Sequence, residues 1–414
     1  MQKTFIEEKK LNINVKNALS VLFFVAFLLF SVYYYFGEDR TIWLFFFGFN
    51  WKHLSLVCFI VAIILQSFNK TVKADAVVFL FIIRALVSLL NANATDKLGE
   101  GLAQETISVY ACLSYLFTFN CVDKPEEKIK TLFTYTSLIL SLQIFICILF
   151  NGLDKNYIYA GFGKSNYVAT FILGFTVVIA FMETTLFQKI VIVINLLALL
   201  FIQSFGAYIG LLVVLIAFLI TKIKWNKKTL LRTVIIALSL IVLLCLFFLT
   251  RFGRPLYEKI ATKIGYLKDG NLMDFGSSRL GLYKYSIESI KKNIWFGNII
   301  NENLSEINSR WLYFRTHNFF LESLLLYGVI GTIVNGALMG FVIYRLIKIP
   351  KSSFKTAVIW AFIAYLCHGL VEPNFFTLVF GIFFWGLMGA CLSVPDKNDY
   401  KSLIIKYSGG FIIV

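Results

Sequence analysis

Charge is what this sequence lacks most. Only 15% of its 414 residues are Asp, Glu, Lys or Arg, against 59% that are apolar. A soluble domain is about a quarter charged and about half apolar. The excess apolar surface does not fit inside a soluble core, so the class implied is a polytopic membrane protein. Carboxylates are scarcer still, 23 against 39 Lys and Arg. The one long polar segment has no Asp-x-Asp and no close acidic pair, which argues against a divalent-metal transferase or phosphatase site. There is no phosphate-binding P-loop, and hence no sign of a nucleotide-driven pump. The seven cysteines include no CxxC and none in the polar segment. They read as small hydrophobes in helices, with neither a disulfide framework nor a metal centre. No internal repeat relates the halves, which weighs against an inverted-repeat carrier. Histidine occurs three times, at 53, 317 and 368.

What is present is a succession of apolar runs. A helix needs about 20 apolar residues to cross a bilayer, or about 17–25 with tilt. The runs 17–36, 43–68, 75–90, 102–119, 131–150, 166–185, 189–203, 206–221, 230–249, 318–344, 356–371 and 375–394 are predicted spans. The expected fold is therefore an all-α polytopic membrane protein with about twelve transmembrane helices and one large extracytoplasmic loop. Its parts are an N-terminal membrane bundle (1–250, about nine spans), the loop (251–317), three C-terminal spans (318–394) and a cytoplasmic tail (395–414). The N-terminal run lacks a small-residue cleavage site and reads as a retained first span. Lysine and arginine favour the cytoplasm in short loops. With the N-terminus inside, the inner segments carry 22 of them and the short outer loops only Arg40, Lys97, Lys155 and Lys164. Both termini are then cytoplasmic and 251–317 faces outward. The net charge of +16 is explained by these topology signals, and no nucleic acid is implied.

Several polar residues stand out against this background. Arg84 lies between apolar flanks, where an unpaired charge costs at least about 2.5–3.5 kcal/mol. It is either paired internally or an anion ligand facing a cavity, and the absence of a mid-span carboxylate favours the anion. Lys52 and His53 sit near the outer third of the second run, where lysine snorkels to the interface. In the outer loop, Leu280, Tyr283, Ile287, Ile290 and Ile294 step by three and four, predicting an amphipathic helix over 278–295 on the outer surface or on the bundle. Ser277 or Ser278 suits its N-cap. Arg279 then stands in a first turn that already favours anions. It is a phosphate ligand or an ordinary solvated arginine. His317 opens the tenth span, either as a cap or as a neutral base able to accept a proton. Glu322, five residues on, is about 140° around the helix and is no obvious partner for it. His368 and Glu372 are four apart at the outer end of the eleventh run, on one helix face. They orient an acceptor or satisfy each other.

The segment Thr316-His317-Asn318-Phe319-Phe320-Leu321-Glu322, followed by Gly328 and Gly331, resembles the His-Asn-x-x-Leu…Gly signature of the O-antigen ligase/polymerase family. Upstream, Ser278-Arg279-Leu280-x-Leu282-Tyr283, Ile290-Lys291 and Trp295-Phe296-Gly297 resemble its arginine-bearing helix and the glycine turn after it. Gly161-Phe162-Gly163-Lys164-Ser165-Asn166, before the sixth span, is similar more weakly.

The resemblance implies a GT-C-like integral-membrane glycosyltransferase that needs no metal or other cofactor. Its partners would be an undecaprenyl-diphosphate-linked glycan donor, a glycan acceptor and membrane lipids, with a chain-length regulator or flippase alongside. It would act at the outer face of the cytoplasmic (inner) membrane. His317 would deprotonate the acceptor hydroxyl and Arg279 would hold the diphosphate. Arg315, Asn318, His368 and Glu372 are counted as substrate-binding. Many ligases of the family carry a Ser-Arg pair where this chain reads Gln203-Ser204-Phe205-Gly206-Ala207. Arg84, Arg251 or Arg254 would have to replace the missing arginine. Its loss weakens the match to a strict ligase and leaves a repeat-unit polymerase of capsular or O-antigen type at least as well supported. A lipid-linked oligosaccharide flippase is the alternative from another class.

Overall fold

The computed structural model describes residues 73–94, 98–121, 124–152, 159–160, 163–222, 248–250, 253–269, 279–297, 316–372, 374–393 and 412–413. It also describes scattered positions between 19 and 65, including 41–44 and 47–50. The fold is helical. In chain order the helices are α1 (Ala76–Ala94), α2 (Leu98–Cys121), α3 (Pro125–Asn151), α4 (Ser165–Phe181), α5 (Leu186–Ile202), α6 (Phe205–Lys222), α7 (Arg254–Lys268), α8 (Arg279–Lys292), α9 (Phe319–Lys348), α10 (Ser353–Gly369) and α11 (Leu378–Leu392). A 3-10 turn, Asn374–Phe376, precedes α11. Small two-stranded pieces accompany them, among them an antiparallel pair of Thr41–Leu44 with Phe47–Asn50.

Nine of the expected spans fall on α1 to α6 and α9 to α11, within a few residues at each end. The runs 17–36, 43–68 and 230–249, with Lys52 and His53, and most of the tail lie outside the described residues. Among the described residues, Pro125–Phe150 and Phe319–Lys348 are each long and apolar enough to cross a membrane, with mean hydropathies of 2.1 and 1.8. The bundle also presents large apolar side chains outward, including Ile82, Leu86 and Leu90 on α1 and Ile139, Leu142 and Ile146 on α3. A surface of that kind suits lipid and not water.

Inside, α2 lies along α11, joined where Ser114 Oγ donates to the Ile382 carbonyl at 2.8 Å. Helix α10 packs against α4 and α6, and α3 against α4 and α5. Buried polar groups are paired across helices: Ser141 Oγ donates to Asn195 Oδ1 at 2.8 Å, and Asn195 Nδ2 donates to Thr176 Oγ1 at 3.0 Å. Phe375, Phe380, Phe384 and Tyr365 interlock edge to face in the centre. At the end of the bundle where α9 finishes, Tyr115 donates to Asp75 and Arg345 pairs with the same carboxylate at 3.7 Å.

One break organises the other end. Helix α9 has non-helical backbone at Gly328, φ 62°. The turn after α8 docks there: Val329 N–H donates to the Ile294 carbonyl at 2.9 Å and Ile330 N–H to the Trp295 carbonyl at 3.1 Å. Gly297, also at positive φ, is the other half of the contact. A Cβ on either glycine would lie within about 2.4–2.5 Å of the other's backbone nitrogen. Helix α8 thus runs beside the first turns of α9, on the bundle. Its observed start at Arg279 agrees with the expected amphipathic helix, while Ser277 and Ser278 lie outside the described residues. Helix α7 was not anticipated.

Candidate active site

Glu372 is the centre of the site. Helix α10 stops at Gly369, and the chain turns so that Val371 and Glu372 N–H both donate to the His368 carbonyl at 3.0 Å. The expectation that His368 and Glu372 share a helix face is corrected by this turn: Glu372 stands beyond the helix end. Its carboxylate is buried and accepts three side-chain hydrogen bonds. Arg279 Nη2 donates to Oε1 at 3.0 Å, Asn166 Nδ2 donates to Oε1 at 2.5 Å, and His317 Nδ1 lies 3.0 Å from Oε2. Burial alone would raise the Glu372 carboxyl above its ordinary value. The hydrogen bond from His317 and the charges of His317, His368 and Arg279 outweigh that and hold it low. An ionised carboxylate only accepts, so the shared proton belongs to His317 Nδ1. In the neutral ring Nε2 then carries a lone pair, the state a general base needs.

His317 is held by its neighbours in the left-handed region, φ 52°. Such a conformation costs on the order of 1–3 kcal/mol and persists only where the surroundings impose it. Here Glu322 Oε2 accepts from Thr316 N–H at 2.8 Å, Thr316 Oγ1 donates to the Asn318 carbonyl at 2.8 Å, and Tyr283 OH donates to the His317 carbonyl at 3.4 Å. Glu322 serves the backbone just before the histidine, consistent with its position around the helix. Asn318 caps α9, accepting from Phe320 and Leu321 N–H at 2.9 and 3.0 Å, while its Nδ2 donates to the Leu370 carbonyl at 3.1 Å. Its side chain ties His317 to the Glu372 turn. These are the contacts of a helix cap.

His368 is fully buried behind Glu372. Its ring lies 3.1 Å from Thr170 Oγ1, 3.0 Å from Asn374 Nδ2 and 3.5 Å from Ser204 Oγ. Ser204 belongs to the stretch where the family arginine is missing. The site therefore gathers four helix starts: α4 through Asn166, α6 through Ser204, α8 through Arg279, and α9 through His317 and Asn318. Each N-terminus carries roughly half a positive charge and free N–H groups. Together with Arg279 they make the region suited to an anion, and Glu372 is the internal one. That answers why a cation is tolerated at the start of α8.

The other arginines are elsewhere. Arg84 is buried, donates from Nη2 to Tyr327 OH at 2.5 Å and lies 4.7 Å from the centre of that ring. Its described hydrogen-bond partner is thus internal, on α9. Its Nε has no hydrogen-bond partner among the described residues, and the side chain lines a small cavity with Phe319, Asn335 and Trp385. Arg254 is exposed and pairs with Glu258 at 3.1 Å on α7. Arg251 and Arg315 lie outside the described residues. Among the described residues no second arginine joins Arg279, and no group of three or more His, Cys, Asp or Glu is placed to hold a metal. Asn166 and Thr170 were missed as site residues. The weak motif ending at Asn166 was the signal for the first. Nothing local marks the second.

Residues 190–335 match the family model of the O-antigen ligase. The resemblance read from Arg279 and His317 is borne out by this match. The matched segment covers Ser204, Arg279 and His317, whereas Asn166, His368 and Glu372 come from outside it and close the site. The family is membrane-embedded, and the match supports a glycosyltransferase-like activity of the ligase/polymerase type on lipid-linked glycan and an acceptor. A comparison with curated proteins returned no match.

Proposed function

We propose that the chain polymerises undecaprenyl-diphosphate-linked repeat units of a capsular or O-antigen polysaccharide at the outer face of the cytoplasmic membrane, without a metal. The observation that carries this reading is Glu372 held between His317 and Arg279. Sugar transfer needs an activated hydroxyl and a stabilised leaving group. His317 Nε2 takes the proton of the acceptor hydroxyl while Glu372 fixes the ring through Nδ1–H. The acceptor oxygen bonds to the anomeric carbon of the donor, and the bond from that carbon to the phosphate oxygen breaks. Undecaprenyl diphosphate leaves as an anion paired with Arg279 at the converging helix starts. Diphosphate is a good leaving group, so a positioned arginine and backbone N–H groups suffice to receive it. The twelve-span topology with both termini inside accords with the site, because all of its helix ends then lie on the outer side.

The test is the pool of lipid-linked intermediates in cells carrying His317→Ala or Arg279→Ala. Each variant should insert normally and yield no long glycan, with single lipid-linked repeat units accumulating outside. Accumulation of long lipid-linked polymer would instead assign ligation of finished glycan to another acceptor. Normal glycan from His317→Ala would sink both readings and turn attention to a flippase.

A further inference from the structure

Helix α7 takes no part in the site, yet its composition is specific. Its exposed large apolar residues are Tyr257, Ile260 and Ile264, at 54%, 41% and 49% of full exposure. At 100° per residue they fall within an arc of roughly 60°. The helix carries Arg254, Lys259, Lys263 and Lys268 against the single acid Glu258. The exposed Arg254–Glu258 pair lies outside the apolar arc. A helix with a narrow apolar stripe and an excess of basic residues has the make-up of one that lies in a membrane interface.

Two further observations choose the occupant of that stripe. The chain enters α7 from the apolar run 230–249, and Leu249 near its end is 82% exposed. Phe248 packs its ring against Tyr257 at 5.9 Å. The stripe is thus continuous with Phe248 and the exposed Leu249. The position of α7 is also bounded. Asp269 and Arg279 are ten residues apart, and a chain of that length reaches at most about 35 Å. The C-terminal end of α7 therefore lies within that distance of Arg279.

We infer that α7 lies on the membrane surface beside the site, with Tyr257, Ile260 and Ile264 in the acyl boundary and its basic residues against anionic phospholipid headgroups. This inference rests on the chain being membrane-embedded and not on glycosyl transfer.

Amide hydrogen exchange on the unmodified full chain tests it. In nanodiscs of phosphatidylcholine with phosphatidylglycerol, peptides covering 254–268 should exchange several-fold more slowly than in phosphatidylcholine alone. High salt should remove the difference. Ile260→Asp should abolish the protection while leaving exchange around Glu372 unchanged. Equal exchange in the two lipids, or full protection in Ile260→Asp, would overturn the inference. Protection that follows protein concentration and ignores lipid charge would also overturn it, assigning the stripe to a second copy of the chain.

Discussion

His317 Nδ1 and Glu372 Oε2 lie 3.0 Å apart, across 55 residues of sequence and from two different helix ends. The pair fixes which ring nitrogen is left to act. Glu372→Gln should therefore cost more than a contact. The amide no longer demands a donor, so the ring loses both its preferred tautomer and the charge that stabilises its protonated form. Turnover should fall about 10²–10⁴-fold, the range for loss of a positioned acid-base group. Glu372→Asp should recover part of it. Because the same carboxylate engages Arg279 at 3.0 Å, Glu372→Gln should also bind inorganic pyrophosphate more tightly than the unmodified chain. Titration calorimetry reads this directly. Weaker pyrophosphate binding would show that Glu372 helps to hold the anion and does not compete with it.

Acid should loosen the same contact. The Glu372 carboxyl is held below its ordinary value of 4.5 by His317, His368 and Arg279 despite its burial. A carboxylate depressed by folding contributes stability that is complete above the unfolded value and is lost as pH falls through the folded one. Thermal unfolding in detergent should therefore be insensitive to this group above about pH 4.5 and lose its contribution below that. Glu372→Gln should flatten that part of the profile.

Much of the bundle was legible because a membrane span announces itself in a single run of about 20 apolar residues. Arg279 and His317 were legible because each opens a helix within a recognisable motif. The role of Glu372 was not, since a carboxylate in the turn after α10 acquires its meaning only from partners 55, 93 and 206 residues away. Arg84 shows the same limit: its hydrogen-bond partner Tyr327 comes to it from α9. Asn318 also caps a helix, a job that the residue type alone suggests. Helix α7 carries fewer apolar residues than a span, and a search for spans passes over it.

Metal removal should leave the rate unchanged. In the proposed mechanism the leaving diphosphate is received by Arg279 and four helix starts, which would supply positive charge where it is needed. Lipid-linked repeat units incubated with the purified chain should be consumed at the same rate with and without EDTA. A large loss restored by magnesium would overturn the metal-free reading while leaving the role of His317 open to its own test.

The contact between Gly297 and Gly328 makes the sharpest structural demand. A Cβ on Gly328 would lie 2.4 Å from the carbonyl of Trp295, and its φ is 62°. The obstruction is backbone, so no side chain can turn aside, and an alanine there also bears a positive-φ penalty on the order of 1–3 kcal/mol. Gly328→Ala should release the turn after α8 from the break in α9, lower the melting temperature and withdraw Arg279 from Glu372. Gly297→Ala meets the same backbone from the other side, with Gly328 N at 2.4 Å. Since both changes break one contact, the double variant should be little worse than either alone, a departure from additivity of roughly 0.5–3 kcal/mol. Additive losses in thermal or denaturant unfolding would show that the two glycines serve separate ends. Alanine tolerated at 328 with full activity would show that α8 does not need this docking to place Arg279.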